Sequence, residues 1–282
     1  MEATIRYIRE ELKGLLSGTE ITSITRMIFE ALRGYSLTDM VVNREEILTT
    51  PEKARIREII SRLRNHEPIQ YILGYTHFLG IPIRVNPSVL IPRPETEELA
   101  DWIIREETSG SLRFTDIGTG SGCIALALKK AFPASHVEGC DLSQEALSLA
   151  RENAAANNLP VSFFQADILN WEKTTSWNFT DVIVSNPPYV LPGEKYRMLP
   201  HVLEQEPPLA LFVPEEDPLV FYRRILEFAR KWLIPGGKVY FEINEQFGRE
   251  TERLLTGFGF SEVEIRPDLQ GKQRMTRGTF IP

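Results

Sequence analysis

Phe-Thr-Asp-Ile-Gly-Thr-Gly-Ser-Gly, residues 114–122, is the stretch that decides the fold. It starts as a short strand, passes through three glycines at alternate positions, and runs on into the apolar-rich residues of a helix. Glycines in such a turn let a ligand approach the backbone closely. The stretch therefore predicts a β–turn–α unit that holds a nucleotide-like molecule.

The same alternation of strands and helices continues to the end of the chain. Strands are predicted at residues 114–117, 136–140, 161–165, 181–185, 238–243, 262–265 and 275–280, and helices near 95–107, 122–132, 143–157, 218–233 and 246–256. This order is typical of an α/β fold, with a mostly parallel, Rossmann-like seven-stranded sheet covered by helices on both faces. Ligands bind such sheets at the carboxyl ends of their strands.

A different pattern precedes these strands. The apolar residues recur at helical spacing in three runs, from Ile5 to Leu15, from Ile21 to Leu32 and from Ile56 to Leu63. Gly18 and Gly34 are expected to end the first two helices, and Pro51 is expected to open the third. The pattern predicts a small all-α domain over residues 1–73.

Residues 74–90 are predicted to link the two parts. The run from Phe78 to Val85 is too short and too rich in proline for a helix, and its alternation predicts a β-hairpin or an edge strand. The expected organisation is a helical domain over residues 1–73, a hairpin linker over 74–90 and a catalytic domain over 91–282.

The composition narrows the class of protein. A formal net charge of −7 argues against stable nucleic-acid binding, which depends on clustered Lys and Arg. The sequence has no run of eighteen apolar residues and no signal-peptide pattern, so we expect a cytoplasmic protein with no membrane partner. The two cysteines, Cys123 and Cys140, are expected to be buried thiols rather than a disulfide.

The glycine turn predicts which cofactor is bound. Dinucleotide-binding enzymes favour G-x-G-x-x-G, whereas this chain has G-x-G-x-G behind an acidic residue, which is typical of proteins that bind S-adenosylmethionine. The predicted contacts are Gly118, Thr119, Gly120, Ser121 and Gly122. The alternative is a glycine-rich turn that serves only to pack a helix closely on a strand.

Acidic residues follow the next two strands. Asp141, with Leu142 beside it, ends the second strand, where a carboxylate can accept hydrogen bonds from both ribose hydroxyls. Its alternative role is a helix N-cap, but Ser143 is better placed for that. After the third strand, Asp167 is expected to accept from the adenine amino group and Ile168 to contact the adenine ring.

The fourth strand ends in Asn186-Pro187-Pro188-Tyr189, the predicted catalytic motif. Two consecutive prolines lack N–H donors and have a fixed φ, which holds the carbonyl of Pro187 outward as an acceptor. A planar NH2 group can donate one hydrogen to the Asn186 side-chain oxygen and the other to this carbonyl. Tyr189 is expected to cover the flat face of the substrate. The alternative is a rigid surface turn.

The proposed chemistry explains the choice of acceptors. The lone pair of an amide or aromatic amine nitrogen is delocalised, and two acceptors on its hydrogens stabilise the positive charge that grows there in the transition state. The sulfonium of S-adenosylmethionine is already a good leaving group, so no metal or covalent nucleophile is required. The four histidines, His66, His77, His136 and His201, show no ligand spacing.

Further segments identify a family. Those that carry the resemblance are Pro68–Gly74 with Phe78, Ile91–Glu97, Asp116–Gly122, Asn186–Tyr189 and Glu206–Leu211. Over nearly its whole length the chain resembles the release factor glutamine N5-methyltransferases, the PrmC/HemK family. It departs from some relatives in having Ile168 where they have an aromatic residue, and in a longer stretch through Trp171 and Trp177.

The resemblance implies roles that the residues alone do not reveal. Arg93, Pro94, Glu95 and Thr96 would line the methionine end of the cofactor, and Glu206 with Pro207 would lie beside the substrate. The implied substrate is the glutamine of the Gly-Gly-Gln loop of class I peptide chain release factors, which the helical domain would grip. The products would be the N5-methylated glutamine and S-adenosylhomocysteine.

Two rival functions remain open on the sequence. A DNA or RNA amine methyltransferase, acting on adenine N6 or guanine N2, could use the same Asn-Pro-Pro-Tyr motif on a flipped base. The acidic charge and the lack of a basic target-reading insertion argue against it. The second rival is a binding module that has kept the fold and lost the activity, and the intact motifs argue against this.

Overall fold

The computed structural model describes residues 1–108 and 110–281, which form two compact units. The first consists of Met1–Gly74 together with Leu199–Gln205, and the second of Tyr75–Met198 and the chain from Glu206 onward. The hairpin therefore belongs to the second unit, and so do all the predicted site residues. None of the helices formed by the described residues is long and apolar enough to cross a membrane.

The first unit is helical, as predicted. Its helices are α1 (Glu2–Leu12), α2 (Gly18–Arg33), α3 (Leu37–Val42), α4 (Thr50–Arg64) and α5 (Ile69–Leu73), with the later helix Pro200–Gln205. The predicted apolar stripes of α1, α2 and α4 form its core, where Ile8, Ile28 and Ile59 are fully buried. The short helices α3 and α5 had no sequence prediction, because each has too few turns to show a periodicity.

The prediction for Gly18 is wrong. Helix α1 already ends at Leu12, and Gly18 is the first residue of α2. The side chain of Ser17 accepts from the backbone N–H of Glu20, and the Glu20 carboxylate accepts from the backbone N–H of Ser17. This pair of bonds is a capping box that starts α2. Gly34 does end α2, with a left-handed φ of 70°.

The second unit opens with the predicted hairpin. Strands β1 (Tyr75–Phe78) and β2 (Ile81–Arg84) pair antiparallel. Leu79 and Gly80 make the turn with φ of 45° and 71°, which matches the right-handed twist of the two strands. The hairpin prediction is confirmed.

The remaining chain forms the predicted α/β layers. The strands are β3 (Arg113–Ile117), β4 (His136–Asp141), β5 (Ser162–Gln165), β6 (Thr180–Ser185), β7 (Leu233–Glu242), β8 (Phe260–Pro267) and β9 (Gln273–Phe280). The helices are α6 (Pro94–Glu106), α7 (Cys123–Ala131), α8 (Gln144–Ala156), α9 (Pro200–Gln205, in the first unit), α10 (Pro208–Leu211), α11 (Val220–Trp232) and α12 (Gly248–Gly257). Short 3-10 turns span Ile168–Lys173, Pro192–Arg197 and Glu245–Phe247.

The sheet has the order β5-β4-β3-β6-β7-β9-β8. Strands β3 to β7 pair parallel to their neighbours, and β9 runs antiparallel between β7 and β8. Successive strands are added on one side from β3 to β5, and the chain then crosses to the other side at β6. The neighbouring ends of β3 and β6 therefore flank a crevice in which ligands bind in sheets of this kind.

The predicted strands all exist, and their ends shift by a few residues. The largest shift is at β7, which starts at Leu233 instead of Lys238 because Leu233 already pairs with Thr180 before a bulge. Cys123 and Cys140 are buried free thiols, as predicted.

Candidate active site

A cavity of about 400 Å³ opens at the carboxyl ends of β3, β4, β5 and β6. Its lining includes most of the predicted site residues: Thr96, Gly118, Thr119, Gly120, Ser121, Asp141, Leu142, Asp167, Ile168, Asn186, Pro187, Pro188 and Pro207. Arg93, Pro94, Glu95, Gly122, Tyr189 and Glu206 are not part of the lining. The parallel strand ends thus bring the glycine turn and the Asn-Pro-Pro loop to one cavity.

The glycine turn has the backbone shape that requires glycine. Gly118, Gly120 and Gly122 have φ of 73°, 53° and 82°. A Cβ at Gly118 would meet no atom within 4 Å, whereas one at Gly122 would lie 3.2 Å from the Cβ of Ala150. Gly118 therefore leaves open space on the cavity side, and Gly122 allows α7 and α8 to pack closely.

Asp116 supports the turn from below. Its side chain is fully buried, and one carboxylate oxygen accepts from the Thr119 hydroxyl at 2.6 Å and from the Ala125 N–H at 3.3 Å. Burial raises the pKa of the Asp116 carboxyl to about 7, although these two hydrogen bonds act in the opposite direction.

Asp141 is held at the end of β4 by backbone donors. Its two oxygens accept from the N–H groups of Gly120 and Ser143, each at 2.9 Å. Ser143 is the N-cap of α8, so the capping role does not fall to Asp141. Burial raises the pKa of Asp141. Each carboxylate oxygen has a second lone pair, so the group can still accept from ligand hydroxyls.

Asp167 has a local structural role beside its place in the cavity. Its carboxylate accepts from the N–H of Leu169 at 2.9 Å and from the side chain of Asn170 at 2.7 Å, which caps the following 3-10 turn. The longer stretch beyond it folds inward, and Trp171 and Trp177 join the core beside α11. Apolar Ile168 therefore forms the cavity wall at this place.

The Asn-Pro-Pro-Tyr loop is tied to buried polar groups. The Asn186 side-chain nitrogen donates to the Thr96 hydroxyl at 3.1 Å, and the Thr96 hydroxyl donates to Glu242 at 2.7 Å. The Tyr189 hydroxyl donates to the other oxygen of Glu242 at 2.9 Å. The loop is thus anchored at both ends to one carboxylate at the end of β7.

These bonds bear on the role predicted for Tyr189. Its hydroxyl points to Glu242, and burial raises the pKa of this hydroxyl well above its usual range. The structure therefore gives Tyr189 an anchoring contact, and its contact with a substrate stays a prediction.

A partly buried ion pair lies next to the cavity residue Pro207. Arg93 donates to the carboxylate of Glu206 at 2.5 Å, and the N–H of Ile91 donates to the same group at 3.3 Å. The side chain of Glu206 is 0% exposed and that of Arg93 is 30% exposed. Pro207 follows directly and lines the cavity. Arg93 and Glu206 do not line the cavity themselves. Their ion pair holds the neighbouring residue Pro207, which does.

Helix α6 begins one residue before its predicted start at residue 95. The helix begins at Pro94, and Arg93 is its N-cap residue. Thr96, in the first turn, is buried and lines the cavity, whereas Pro94 is exposed and Glu95 is half-buried. The roles that the family resemblance implies for Pro94 and Glu95 stay predictions.

Two buried residues that support the cavity residues were not predicted from the sequence. Glu242 ends an apolar strand, the same signal that identified Asp141, and could have been found by it. Asn153 offered no such signal: it is fully buried in α8 and donates to the carbonyls of Ser121 and Arg84, which joins the glycine turn to the hairpin. Among the described residues no group of three or more His, Cys, Asp or Glu side chains could hold a metal ion.

Comparison with known proteins agrees with this geometry. The PrmC N-terminal domain model matches residues 3–74, and the methyltransferase small domain model matches residues 103–205. The release factor glutamine methyltransferase of Bacteroides thetaiotaomicron is 42% identical to the chain over 275 residues, which is 98% of both chains. The protein of the same name from Flavobacterium psychrophilum is 42% identical, covering 96% of both.

The chain belongs to the release factor glutamine methyltransferase family. A solved methyltransferase from Pyrococcus furiosus has the same fold, with a TM-score of 0.54 and 21% identity over 83% of this chain and all of that one. The cavity is consistent with membership of this family, because residues of the glycine turn and of the Asn-Pro-Pro loop line it together.

Proposed function

We propose that the chain transfers a methyl group from S-adenosylmethionine to the side-chain amide nitrogen, N5, of the glutamine in the Gly-Gly-Gln loop of class I peptide chain release factors. The observation that carries the proposal is that Asn186, Pro187 and Pro188 line the same cavity as the glycine turn. Near full-length similarity to proteins named for this activity supports the choice of substrate.

The residues present suit S-adenosylmethionine. The open space at Gly118 allows close approach to the backbone, and Asp141 keeps acceptor capacity for ribose hydroxyls. The walls at Leu142, Ile168 and Ile225 are apolar, as an adenine ring requires. Once bound, the cofactor would supply a methyl group on a positively charged sulfur.

The chain's own contribution to the transfer is positioning. The Asn186 side-chain oxygen and the Pro187 carbonyl are both hydrogen-bond acceptors, and together they would take both hydrogens of a planar NH2 group. Such acceptors gain strength as positive charge grows on the nitrogen, so they lower the barrier rather than only bind the substrate. They offer no comparable help to a hydroxyl or a carbon nucleophile, which has no pair of N–H hydrogens.

The helical unit is proposed to bind the release factor body. This assignment rests on the match of the PrmC N-terminal domain model to residues 3–74. We expect the activity in the cytoplasm, with no membrane or stable nucleic-acid partner, in keeping with the charge of −7. The relatives do not favour the alternative of a DNA or RNA amine methyltransferase, since they are named for a protein substrate.

The test is a transfer assay with methyl-labelled S-adenosylmethionine. The full chain is incubated in parallel with a class I release factor, with the same factor carrying alanine for the loop glutamine, with duplex DNA and with tRNA. Label is expected only in the unaltered factor. Acid hydrolysis of the labelled peptide should release labelled methylamine, which identifies an amide nitrogen and excludes a carboxyl ester.

Two results would overturn the proposal. Label in DNA or tRNA with an unlabelled release factor would show that the chain is a nucleic-acid amine methyltransferase instead. Equal labelling of the factor that lacks the loop glutamine would refute the choice of residue.

A further inference from the structure

Glu242 is the buried carboxylate beside the candidate active site that anchors the Asn-Pro-Pro-Tyr loop. It is 1% exposed, ends β7 and does not line the cavity. Both of its oxygens accept from hydroxyls, one from Thr96 and one from Tyr189. Burying a carboxylate costs free energy of folding, so a buried carboxylate next to this loop indicates a specific role.

The donors and acceptors in this network can be ordered for the ionised form of Glu242. An ionised carboxylate only accepts, and a threonine hydroxyl has one hydrogen. Because Thr96 gives that hydrogen to Glu242, its oxygen can only accept from Asn186. The NH2 end of the Asn186 amide must therefore face Thr96, and its oxygen must face away.

We propose that Glu242 is a positioning residue for methyl transfer, which fixes the orientation of the Asn186 amide through the Thr96 hydroxyl. The inference rests on the proposed function, in which the Asn186 oxygen accepts a hydrogen from the substrate amide. The two ends of an asparagine amide have nearly the same shape, so packing alone does not choose between them. The charge of Glu242 makes the choice.

The consequence of a reversed amide explains why the choice matters. The NH2 group of Asn186 would then face the NH2 group of the substrate, donor against donor. Its oxygen would face the lone pairs of Thr96, whose hydrogen is already given to Glu242. Both contacts are repulsive, so the network selects one of two isosteric states before the substrate binds.

Glu242 also holds the other end of the loop. The Tyr189 hydroxyl donates to it, and the Asn244 side chain donates to the Tyr189 carbonyl at 3.1 Å. Burial raises the pKa of Glu242, while the hydroxyls of Thr96 and Tyr189 and the charge of Arg274 act in the opposite direction. These partners favour the ionised form that the ordering of donors requires.

The test compares three single variants of the full chain. Thr96→Val removes the hydroxyl at nearly constant shape, Thr96→Ser keeps it, and Glu242→Gln lets the new amide donate to Thr96 in one of its two orientations. The first readout is the side-chain NH2 signal of Asn186 in ¹⁵N-labelled protein, assigned by its loss in Asn186→Ala. It should shift in Thr96→Val and in Glu242→Gln and stay in place in Thr96→Ser.

The second readout is turnover on the release factor, measured with the cofactor Kd. Thr96→Val should lower kcat by about 10- to 100-fold, the scale of one oriented polar contact to a transition state, and Thr96→Ser should recover most of it. Glu242→Gln should lower kcat by about threefold or more and should add little in a Thr96→Val background, because coupled residues are non-additive. Tyr240→Phe is the control, since it removes a tyrosine bond to Glu107 away from the cavity.

Each outcome decides the inference. An Asn186 signal unchanged in Thr96→Val, a Thr96→Ser variant as slow as Thr96→Val, or kcat losses that multiply in the double variant would overturn it. If the wild-type chain methylates no amide, the proposed function fails, but the NMR signals still show whether Glu242 orients Asn186.

Discussion

Replacing Arg93 with methionine would leave the Glu206 carboxylate buried beside the cavity without its cation. The Glu206 side chain is 0% exposed, and its other partner is the N–H of Ile91 at 3.3 Å. Removing one partner from a buried ion pair costs about 3–5 kcal/mol, because the remaining charge is left uncompensated. Arg93 is 30% exposed, so we expect the lower end, about 3 kcal/mol.

The assay is thermal and urea unfolding of the full chain. A loss of about 3 kcal/mol in a unit of this size lowers Tm by about 6–12 °C. Arg223→Met is the matched control, because it breaks the ion pair between Arg223 and Asp217, whose side chains are 39% and 37% exposed. Since exposed ion pairs contribute little, this change should cost less than about 1 kcal/mol of stability. In the double variant Arg93→Met with Glu206→Gln, at least half of the lost stability should be recovered, because the glutamine side chain is neutral and leaves no buried charge.

The pH dependence gives an independent check. Burial already raises the pKa of Glu206 above its ordinary value, although Arg93 acts in the opposite direction. Without Arg93 the folded-state pKa of Glu206 rises further, so the stability of the variant falls as pH increases through that value. The deficit should thus be smaller at pH 5 than at pH 8. A constant deficit, or a double variant as unstable as the single one, would refute this account.

Three further changes test the cavity. Asn186→Ala should leave the cofactor Kd nearly unchanged and lower turnover by at least about 100-fold, and near-normal turnover would contradict its role as an acceptor. Burial raises the pKa of Asp116 from 3.8 to about 7, so this group makes the fold less stable as pH rises between those values. Asp116→Asn lacks that loss, and urea unfolding at pH 5 and pH 8 should show its stability relative to wild type improving by roughly 2–3 kcal/mol; no relative change would count against a protonated Asp116. Gly118 and Gly34 have φ of 73° and 70°, and a Cβ at either position would meet no atom within 4 Å. Gly118→Ala and Gly34→Ala should therefore each cost about 1–2 kcal/mol of stability, because the left-handed backbone is unfavourable for alanine. In a calorimetric titration only Gly118→Ala should weaken cofactor binding, and equal weakening in both would show that the space at Gly118 is not used.

The sequence by itself determined the layers of the fold and the motifs that meet at the cavity. Short-range patterns define the glycine turn, the acidic end of β4 and the Asn-Pro-Pro loop, and each signal lies within a few residues. Because parallel strands end at one edge of the sheet, these separate signals converge in space without any knowledge of side-chain contacts. Fold, cofactor class and the Asn186 motif could therefore be predicted from the chain alone.

Only the tertiary structure decided which side chains hold that lining in place. Thr96 and Glu242 are 146 positions apart, and Arg93 and Glu206 are 113 apart. No periodicity or spacing predicts such pairs, because each depends on two elements that the fold brings together. The anchoring of Tyr189 by Glu242 and the burial of Glu206 belong to the same class. They are decided by the need of every buried polar group for a partner, which can be assessed only when the packed neighbours are known.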